Sequence, residues 1–453
     1  MSVTTMSDPA AQMPSHETGK IARDAVLFTY PLYEMARMRA AAAARRDANG
    51  TLAGGSPEST LRWMNQWVHT RALLGPQNRE VVTPNSDTLY SSAWLDLSEG
   101  PLLLNVPEMG GRYYVLGLLD FYTNPFGYIG SRTTGTGAGT FLLHGPGWTG
   151  EVPPGVRALL CPAPCVWMIG RFLVDGIGDL ARVVALQDRF VFAPFARDAA
   201  QVPMPIDTGM QARELAGDPV RYARIVNRAL AENPPAPESV GVLERFAQIG
   251  IGPDCDADAM TAAQHKALAQ AIQQVMNELS EPQPSELGGG WFLPVAVSES
   301  FGTRYRERAQ VAHNYIGALG VEEAMYVVAD HDAAGVPLHG DDEYVLHFPP
   351  GGLPQTGAFW SITAYDKASR LLVENAIGRY SLGERTPDLR YDADGGLRVA
   401  ISSRSPMDAV LRANWLPAPA GAFYLALRLY EPRVTHLART FRYPAIERLS
   451  RVR

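Results

Sequence analysis

The sequence has few cysteines and no long apolar run, and both absences narrow the possibilities. Three cysteines in 453 residues, Cys161, Cys165 and Cys255, are too few for a disulfide framework, so a reducing compartment is the simpler expectation. No stretch approaches the roughly 20 apolar residues that a membrane helix needs. The N-terminal segment lacks the basic start and apolar core of a secretory signal. We therefore expect a cytoplasmic protein, or a periplasmic one if a signal peptide has been removed.

The net charge of the chain does not favour binding to a polyanion. A net charge of −7 gives no basic field for nucleic acid or anionic lipid. The apolar fraction of 46% and the charged fraction of 19% are those of an ordinary globular protein. A chain of 453 residues exceeds one compact core and divides into roughly three domains. The partner we expect is a small-molecule substrate or ligand, without nucleic acid or membrane, and the sequence leaves open whether the chain forms a homo-oligomer.

Several catalytic and metal-binding motifs are missing from the sequence. The Gly-x-Ser-x-Gly turn of serine hydrolases is absent, and Lys20 stands where a zinc-protease motif starting at His16 needs a second histidine. The glycine-rich segment 135–139 leads into a β-favouring run, which argues against a phosphate loop. Residues 330–341 resemble the opening of a calcium loop, but Ala334 supplies no side-chain ligand. We expect neither a cofactor nor a metal, although cation binding by this loop is left open.

Two blocks of short β-favouring runs flank a block with helical periodicity. In the first block, glycine and proline turns separate runs at 102–106, 113–119, 140–143, 157–161 and 166–171. This spacing predicts an antiparallel sandwich. The second block has runs at 325–329, 344–348, 359–365, 397–401 and 423–429. These runs predict a further sandwich or jelly roll.

Helices are predicted before and between the β blocks. Apolar residues recur at helical spacing from Ile21, with Pro31 expected to break or kink the helix. Pro57 after Ser56 predicts a second helix over 57–74. Both helices are expected to be able to pack against a sheet. Apolar stripes between 177 and 280 predict a helical domain, and a further helix is predicted over 301–319.

Polar side chains collect at the strand ends of the first β block, where loops commonly carry function. Asn85, Asp87 and Tyr90 lie in one polar segment, 83–90. These residue types favour turns, so the simplest interpretation is a structured loop before a strand. The functional interpretation is a carboxylate beside hydroxyls and a phenol, which can move protons if it is desolvated.

Further candidates lie along the neighbouring strands. Arg112 precedes the run 113–119, and Asp120, Tyr122 and Asn124 follow it. Arg171 closes the last strand of the block, where it pairs with an aspartate or holds a substrate carboxylate. In the second β block, period-two alternation places Tyr365 on a face with two hydroxyls, while Trp360 takes the other face.

Segments spread along the chain resemble, in order, a bacterial pairing of two domains of unknown function, numbered 1254 and 1214. The first is represented by 83–97, 111–114 and 171–176, and the second by 346–349, 359–365, 379–381 and 414–419. The resemblance covers nearly the whole chain from Ile21. It implies an immunoglobulin-like sandwich, then a helical domain, then a jelly-roll domain. It implies no particular reaction and assigns no catalytic residue.

The combined prediction is a mainly β protein with a helical insert. Residues 1–17 form a flexible tail, and 18–176 form the N-terminal helices and an immunoglobulin-like sandwich. Residues 177–290 form a middle α-helical domain, and 291–453 form a jelly-roll-like β domain.

The leading functional hypothesis is a cofactor-independent hydrolase or lyase. It would act by acid–base chemistry on a small, partly apolar substrate in a cleft involving both β domains. Asp87 or Asp120 would be the acid–base group, with Tyr90 or Tyr122 assisting. The substrate would be bound by Asn85, Arg112, Asn124, Arg171, Trp360 and Tyr365. The alternative is a non-catalytic protein that binds a carbohydrate or another small molecule, since jelly rolls often serve as lectins. A structural protein without a deep cavity is the third possibility.

Overall fold

The computed structural model describes residues 15–42, 64–79, 82–195, 218–281 and 284–449. Most of the predicted N-terminal tail, residues 1–14, lies outside the described residues, as does the first part of the helix predicted over 57–74. The described chain forms four β-sheets in two β regions, with a helical region between them. In the described residues, no helix combines the length and apolarity that crossing a membrane requires.

The first β region contains two sheets around one core. Its strands are β1 (Val68–His69), β2 (Thr88–Asp96), β3 (Leu102–Val106), β4 (Tyr114–Leu119), β5 (Pro125–Gly130), β6 (Gly139–His144), β7 (Val156–Leu160), β8 (Cys165–Leu173) and β9 (Val191–Pro194). One sheet has the order β1-β2-β8-β4-β5 and the other β7-β6-β3-β9. Leu95, Leu104, Leu143 and Met168 are buried in the shared core. All five predicted strands of this block are present. All pairings within the region are antiparallel except that of β6 with β7, which is parallel.

The helical region includes the N-terminal helix. Its helices are α1 (Ser15–Ala42), α3 (Pro219–Glu232), α4 (Val240–Ala247), α5 (Ala262–Leu279) and α6 (Tyr305–Asn314), whereas α2 (Leu180–Gln187) packs on the core of the first β region through Val183. Phe28 of α1, Tyr222 of α3 and Val275 of α5 share one buried core. Helix α1 therefore packs mainly against other helices rather than only against a sheet. The same core also takes in Trp94 and Val115 from the first β region.

Three helix predictions need correction. The predicted break at Pro31 does not occur, since α1 continues through it; Leu32 and Met35 just beyond it are completely buried, and this tertiary packing outweighs the local cost of proline. Residues 64–74 are not helical, and Val68–His69 instead pairs with β2 as an edge strand. The helix predicted over 301–319 is shorter, Tyr305–Asn314, since the glycines at 302 and 317 adopt φ angles of 52° and 80° outside helical values.

The second β region again has two sheets around a core. Its strands are β10 (Ser285–Gly288), β11 (Trp291–Leu293), β12 (Ala324–Ala329), β13 (Tyr344–Phe348), β14 (Thr356–Asp366), β15 (Ser381–Gly383), β16 (Leu397–Ser402), β17 (Trp415–Pro417), β18 (Phe423–Pro432) and β19 (Ile446–Arg448). The short helices α7 (Ala409–Ala413) and α8 (Val434–Leu437) complete it. The sheet orders are β10-β11-β12-β18-β14-β15 and β17-β16-β13-β19. All five predicted strands of this block are confirmed.

The two β regions meet through the outer face of the six-stranded sheet. Alternation on β14 sends Trp360 and Ile362 into the core, while Ser361 and Tyr365 face the first region. Ser361 reaches Asp87, and the Tyr365 hydroxyl donates to the carbonyl of Pro84. The predicted alternation along 359–365 is therefore confirmed, and it brings polar side chains of both regions together.

Candidate functional site

A cavity of about 570 Å³ lies where the two β regions meet. This volume is in the range of pockets that bind small molecules. The first region contributes residues 73–77, 86–87, 174 and 176–177, and the second contributes 360–361, 377–381, 383 and 385–388. The cavity therefore depends on both regions.

Asp87 lies in the cavity wall and joins the two regions. Its backbone N–H donates to Asn85 Oδ1 at 2.7 Å, which fixes the turn before β2. Its carboxylate accepts from Ser361 Oγ at 2.6 Å, from Ser381 Oγ at 3.2 Å and from the Arg385 guanidinium at 3.3 Å. Only 6% of Asp87 is exposed. All three carboxylate contacts therefore come from the second β region.

The pairing of β14 with β15 places the two serines as diagonal neighbours on the same face of the sheet. Ser361 is opposite Gly383 in this pairing, and Thr363 is opposite Ser381. A Cβ atom on Gly383 would lie 2.1 Å from the Trp360 carbonyl oxygen. Position 383 therefore requires glycine for the close approach of the two strands.

Two arginines with different partners line the cavity. Arg385 also donates to the Val174 carbonyl, and its guanidinium carbon lies 4.3 Å from the ring centroid of Phe359. Arg379 donates to the carbonyls of Ala413 and Trp415, each at 2.9 Å. Across the described ranges, Arg379 forms no ion pair with a carboxylate. Burial lowers the pKa of Arg379, and the charge of Asp388 opposes this only in part.

A buried layer of arginines and tyrosines connects the two β regions near the cavity. Arg171 donates to the Tyr326 hydroxyl, and Arg428 donates to Thr363 Oγ1 and to the Tyr365 hydroxyl. Neither Arg171 nor Arg428 is ion-paired within the part of the chain that the structure describes. Burial raises the pKa of Tyr326, so its phenol remains neutral. Neutral phenols and carbonyls therefore solvate these two charges.

Family models match both β regions. Residues 64–194 match the model described as protein of unknown function (DUF1254), and residues 323–434 match that of protein of unknown function (DUF1214). The chain carries a DUF1254 domain followed by a DUF1214 domain. Asp87 thus belongs to the DUF1254 domain, and its partners Ser361, Ser381 and Arg385 to the DUF1214 domain.

One solved structure supports the fold of this domain pair. The crystal structure of the VPA0106 protein from Vibrio parahaemolyticus is 23% identical with a TM-score of 0.71, and the match covers 96% of this chain and 100% of that one. An uncharacterized protein from Burkholderia cenocepacia is 12% identical with a TM-score of 0.44, with coverage of 96% and 95%. No curated protein matches the chain.

Asp120, Tyr122 and Asn124 lie at the other end of the DUF1254 sheet from Asp87. Along β8, Thr88 is opposite Leu173 and Leu119 is opposite Trp167, a separation of about 20 Å for six strand residues. Asp120 accepts from the backbone N–H groups of Tyr122 and Asn124, both at 2.9 Å, and from Asn124 Nδ2. The Tyr122 hydroxyl donates to the Asn233 carbonyl. The structure therefore does not bring these three residues to the cavity.

The other predicted site residues divide into three groups. Trp360 borders the cavity beside Asp87, but its side chain packs in the core of the second β region. Four residues belong to the buried layer between the domains or contact it, namely Asn85, Tyr90, Arg171 and Tyr365. Arg112 instead forms a two-pronged ion pair with Asp179, at 2.5 and 2.7 Å. The interpretation of Arg112 as a substrate ligand is therefore not supported by its position.

Several polar cavity residues were not predicted as site residues, including Ser361, Arg379, Ser381 and Arg385. Ser381 and Arg379 lie within a segment that carried the family resemblance, which was a usable signal. Arg385 follows β15 in a loop with no periodic pattern, so nothing local marked it. In the loop 330–341, Asp332 Oδ1 accepts from the backbone N–H groups of Ala334 and Val336, which agrees with the interpretation as a turn.

Proposed function

We propose that the chain is a cofactor-independent enzyme, a hydrolase or a lyase, that acts by acid–base chemistry on a small, partly apolar substrate. The site would be the cavity between the DUF1254 and DUF1214 domains, with Asp87 as the acid–base group. The observation that supports this proposal is the position of Asp87, a buried carboxylate in the wall of an open cavity that both domains line. Buried ionisable groups in clefts are candidates for catalysis.

The hydrogen bonds around Asp87 suit a base. Two hydroxyls and a guanidinium donate to the carboxylate of Asp87, and a general base needs such an acceptor group within reach of the substrate. In a lyase, Asp87 would take a proton from a substrate carbon while the electron pair forms a double bond and expels a leaving group, which then takes the proton. In a hydrolase, Asp87 would take a proton from an attacking water and return it to the departing group.

A non-catalytic small-molecule-binding protein, for a carbohydrate or a similar ligand, is the second candidate. The contacts of Asp87 also favour it, because protein groups occupy both carboxylate oxygens. In that case Asp87 would hold the two domains together, and the cavity would bind its ligand without converting it chemically.

A two-step experiment separates the candidates. A library of small esters, hydroxy acids and sugars is screened for compounds that raise the melting temperature, and each hit is then incubated with the protein and followed by mass spectrometry. Conversion that is lost in Asp87→Asn and reduced in Ser361→Ala supports the enzyme. Hits that keep their mass support the binding protein, and a library without hits contradicts both.

The matched control is a second serine–aspartate pair. Ser98 Oγ donates to Asp96 Oδ1 at 2.6 Å, the same distance as Ser361 to Asp87, but Ser98 is exposed and outside the cavity. Ser98→Ala is expected to leave conversion and binding unchanged.

We also propose a fold type for each β domain and a cellular location for the protein. The shared core between two sheets supports an immunoglobulin-like sandwich in the DUF1254 domain and a jelly-roll-like fold in the DUF1214 domain. The small number of cysteines, all of which are free, supports a cytoplasmic location.

A further inference from the structure

The mouth of the cavity is apolar on both sides. Ile177 of the DUF1254 domain and Ile377 of the DUF1214 domain line it with 81% and 49% of their surface exposed. Leu73 and Leu74 extend the same lining. Large aliphatic side chains left in water around a cavity are typical of a surface that a ligand covers.

The polar part of the wall contains donors without a protein acceptor, beside one exposed carboxylate, Asp388, whose charge acts on Arg379. Arg379 is held in place by two carbonyls and has no carboxylate partner among the described residues. Ser86 Oγ and Arg385 Nε are buried without a hydrogen-bond partner in the described part of the chain. Asp87, which is the buried acceptor, is already occupied by protein donors.

Unpaired buried donors are costly, and they are commonly satisfied by a ligand acceptor. We propose that the ligand is a small anionic amphiphile, with a carboxylate bound by Arg379 and an aliphatic body against Ile177, Ile377 and the two leucines. A guanidinium fixed by carbonyls on one side presents its remaining N–H groups as a fork that matches a carboxylate. This inference rests on the proposed function, since it names the ligand class of the same cavity.

Three probes of equal chain length test the head group. Octanoate, octanol and octylamine are titrated by calorimetry at pH 7.5 and constant ionic strength. We expect octanoate to bind at least about tenfold more tightly than octanol, the difference expected for a charge-assisted hydrogen bond, and octylamine to bind more weakly still. Equal or tighter binding of octanol or octylamine overturns the anionic head group but leaves the cavity as a ligand site.

Arginine variants test the position of the head group. Arg379→Gln is expected to remove the preference for octanoate over octanol, and Arg379→Lys to keep part of it. The control Arg390→Gln makes the same charge change at an exposed side chain outside the cavity lining and should keep the full preference. If Arg379→Gln is poorly folded, the preference for octanoate over octanol is compared between Arg379→Lys and Arg390→Gln. A smaller preference in Arg379→Lys supports the role of Arg379, and an equal preference contradicts it.

The outcomes also separate this inference from the proposed function. An unchanged preference in folded Arg379→Gln, or no binding by any of the three probes, overturns the inference. The proposed function then still depends on the library screen, in which another class of compound could be bound and converted.

Discussion

Asp87→Asn should weaken the junction between the two β regions. The carboxylate accepts two serine hydroxyls and one guanidinium from the opposite domain. Asparagine keeps one acceptor oxygen, but its NH2 group is itself a donor. It would therefore face a serine hydroxyl or the Arg385 guanidinium, which is also a donor. The loss should therefore be larger than that of an ordinary surface substitution.

The magnitude follows from the partners. A hydrogen bond to a charged group contributes about 1.5 to 3 kcal/mol, and breaking a fully buried ion pair costs about 3 to 5 kcal/mol. The Arg385 side chain is 23% exposed, and serine hydroxyls can rotate towards other acceptors, so both values need to be reduced. We expect a loss of about 2 to 3 kcal/mol in the free energy of unfolding.

Urea unfolding followed by tryptophan fluorescence measures this loss. Because a chain with several cores can unfold in steps, the earliest transition is the one to compare. The control is Asp188→Asn, which breaks the 2.5 Å ion pair with Arg71 at side chains that are 43% and 58% exposed and should cost no more than about 0.5 kcal/mol. A double-mutant cycle of Asp87→Asn with Ser361→Ala should give a coupling of about 1 kcal/mol.

An effect of Asp87→Asn no larger than that of Asp188→Asn would refute this reasoning. So would additive effects of the Asp87 and Ser361 substitutions, because the two side chains would then not depend on each other.

Three further predictions concern other parts of the fold. Gly383→Ala should destabilise the protein by more than about 2 kcal/mol in urea unfolding, because its Cβ would lie 2.1 Å from the Trp360 carbonyl oxygen. The control is Gly241→Ala, whose Cβ would meet no atom within 4 Å and which should be neutral or stabilising. Burial lowers the pKa of His436 from 6.5 to about 4. Its contribution to stability is therefore complete above pH 6.5 and is lost towards pH 4. His436→Gln should reduce this dependence of stability on pH, as measured by urea midpoints between pH 4 and pH 6.5. Asp120→Asn should lower stability by about 1 to 2 kcal/mol but leave the calorimetric affinity for octanoate unchanged; weaker binding would place Asp120 in the site after all.

Local patterns predicted five strands in each β region because each of these carries its own signal, whereas β5 (Pro125–Gly130) and β15 (Ser381–Gly383) were not predicted. The alternation along 359–365 placed Ser361 and Tyr365 on one face, and the structure agrees. The helix predicted over 57–74 had a local start signal at Pro57, but Val68 and His69 pair with Ser92 and Ser91 of β2. That pairing is a tertiary contact, which propensity does not report.

The site was only partly predictable. Residue type marked Asp87 as a candidate, but its partners Ser381 and Arg385 are 294 and 298 residues away in sequence. Asp120 carried the same residue-type signal as Asp87, and only the strand pairing separates the two by the length of β8. Which polar cluster faces the second domain is therefore a property of the assembled fold.

The most direct test of the cavity as a ligand site is a crystal structure of the protein with octanoate. We expect electron density for the ligand between the two domains, with its carboxylate at Arg379 and its chain towards Ile177 and Ile377. An ordered octanoate elsewhere with the cavity unoccupied, or a cavity filled by protein side chains, would contradict it.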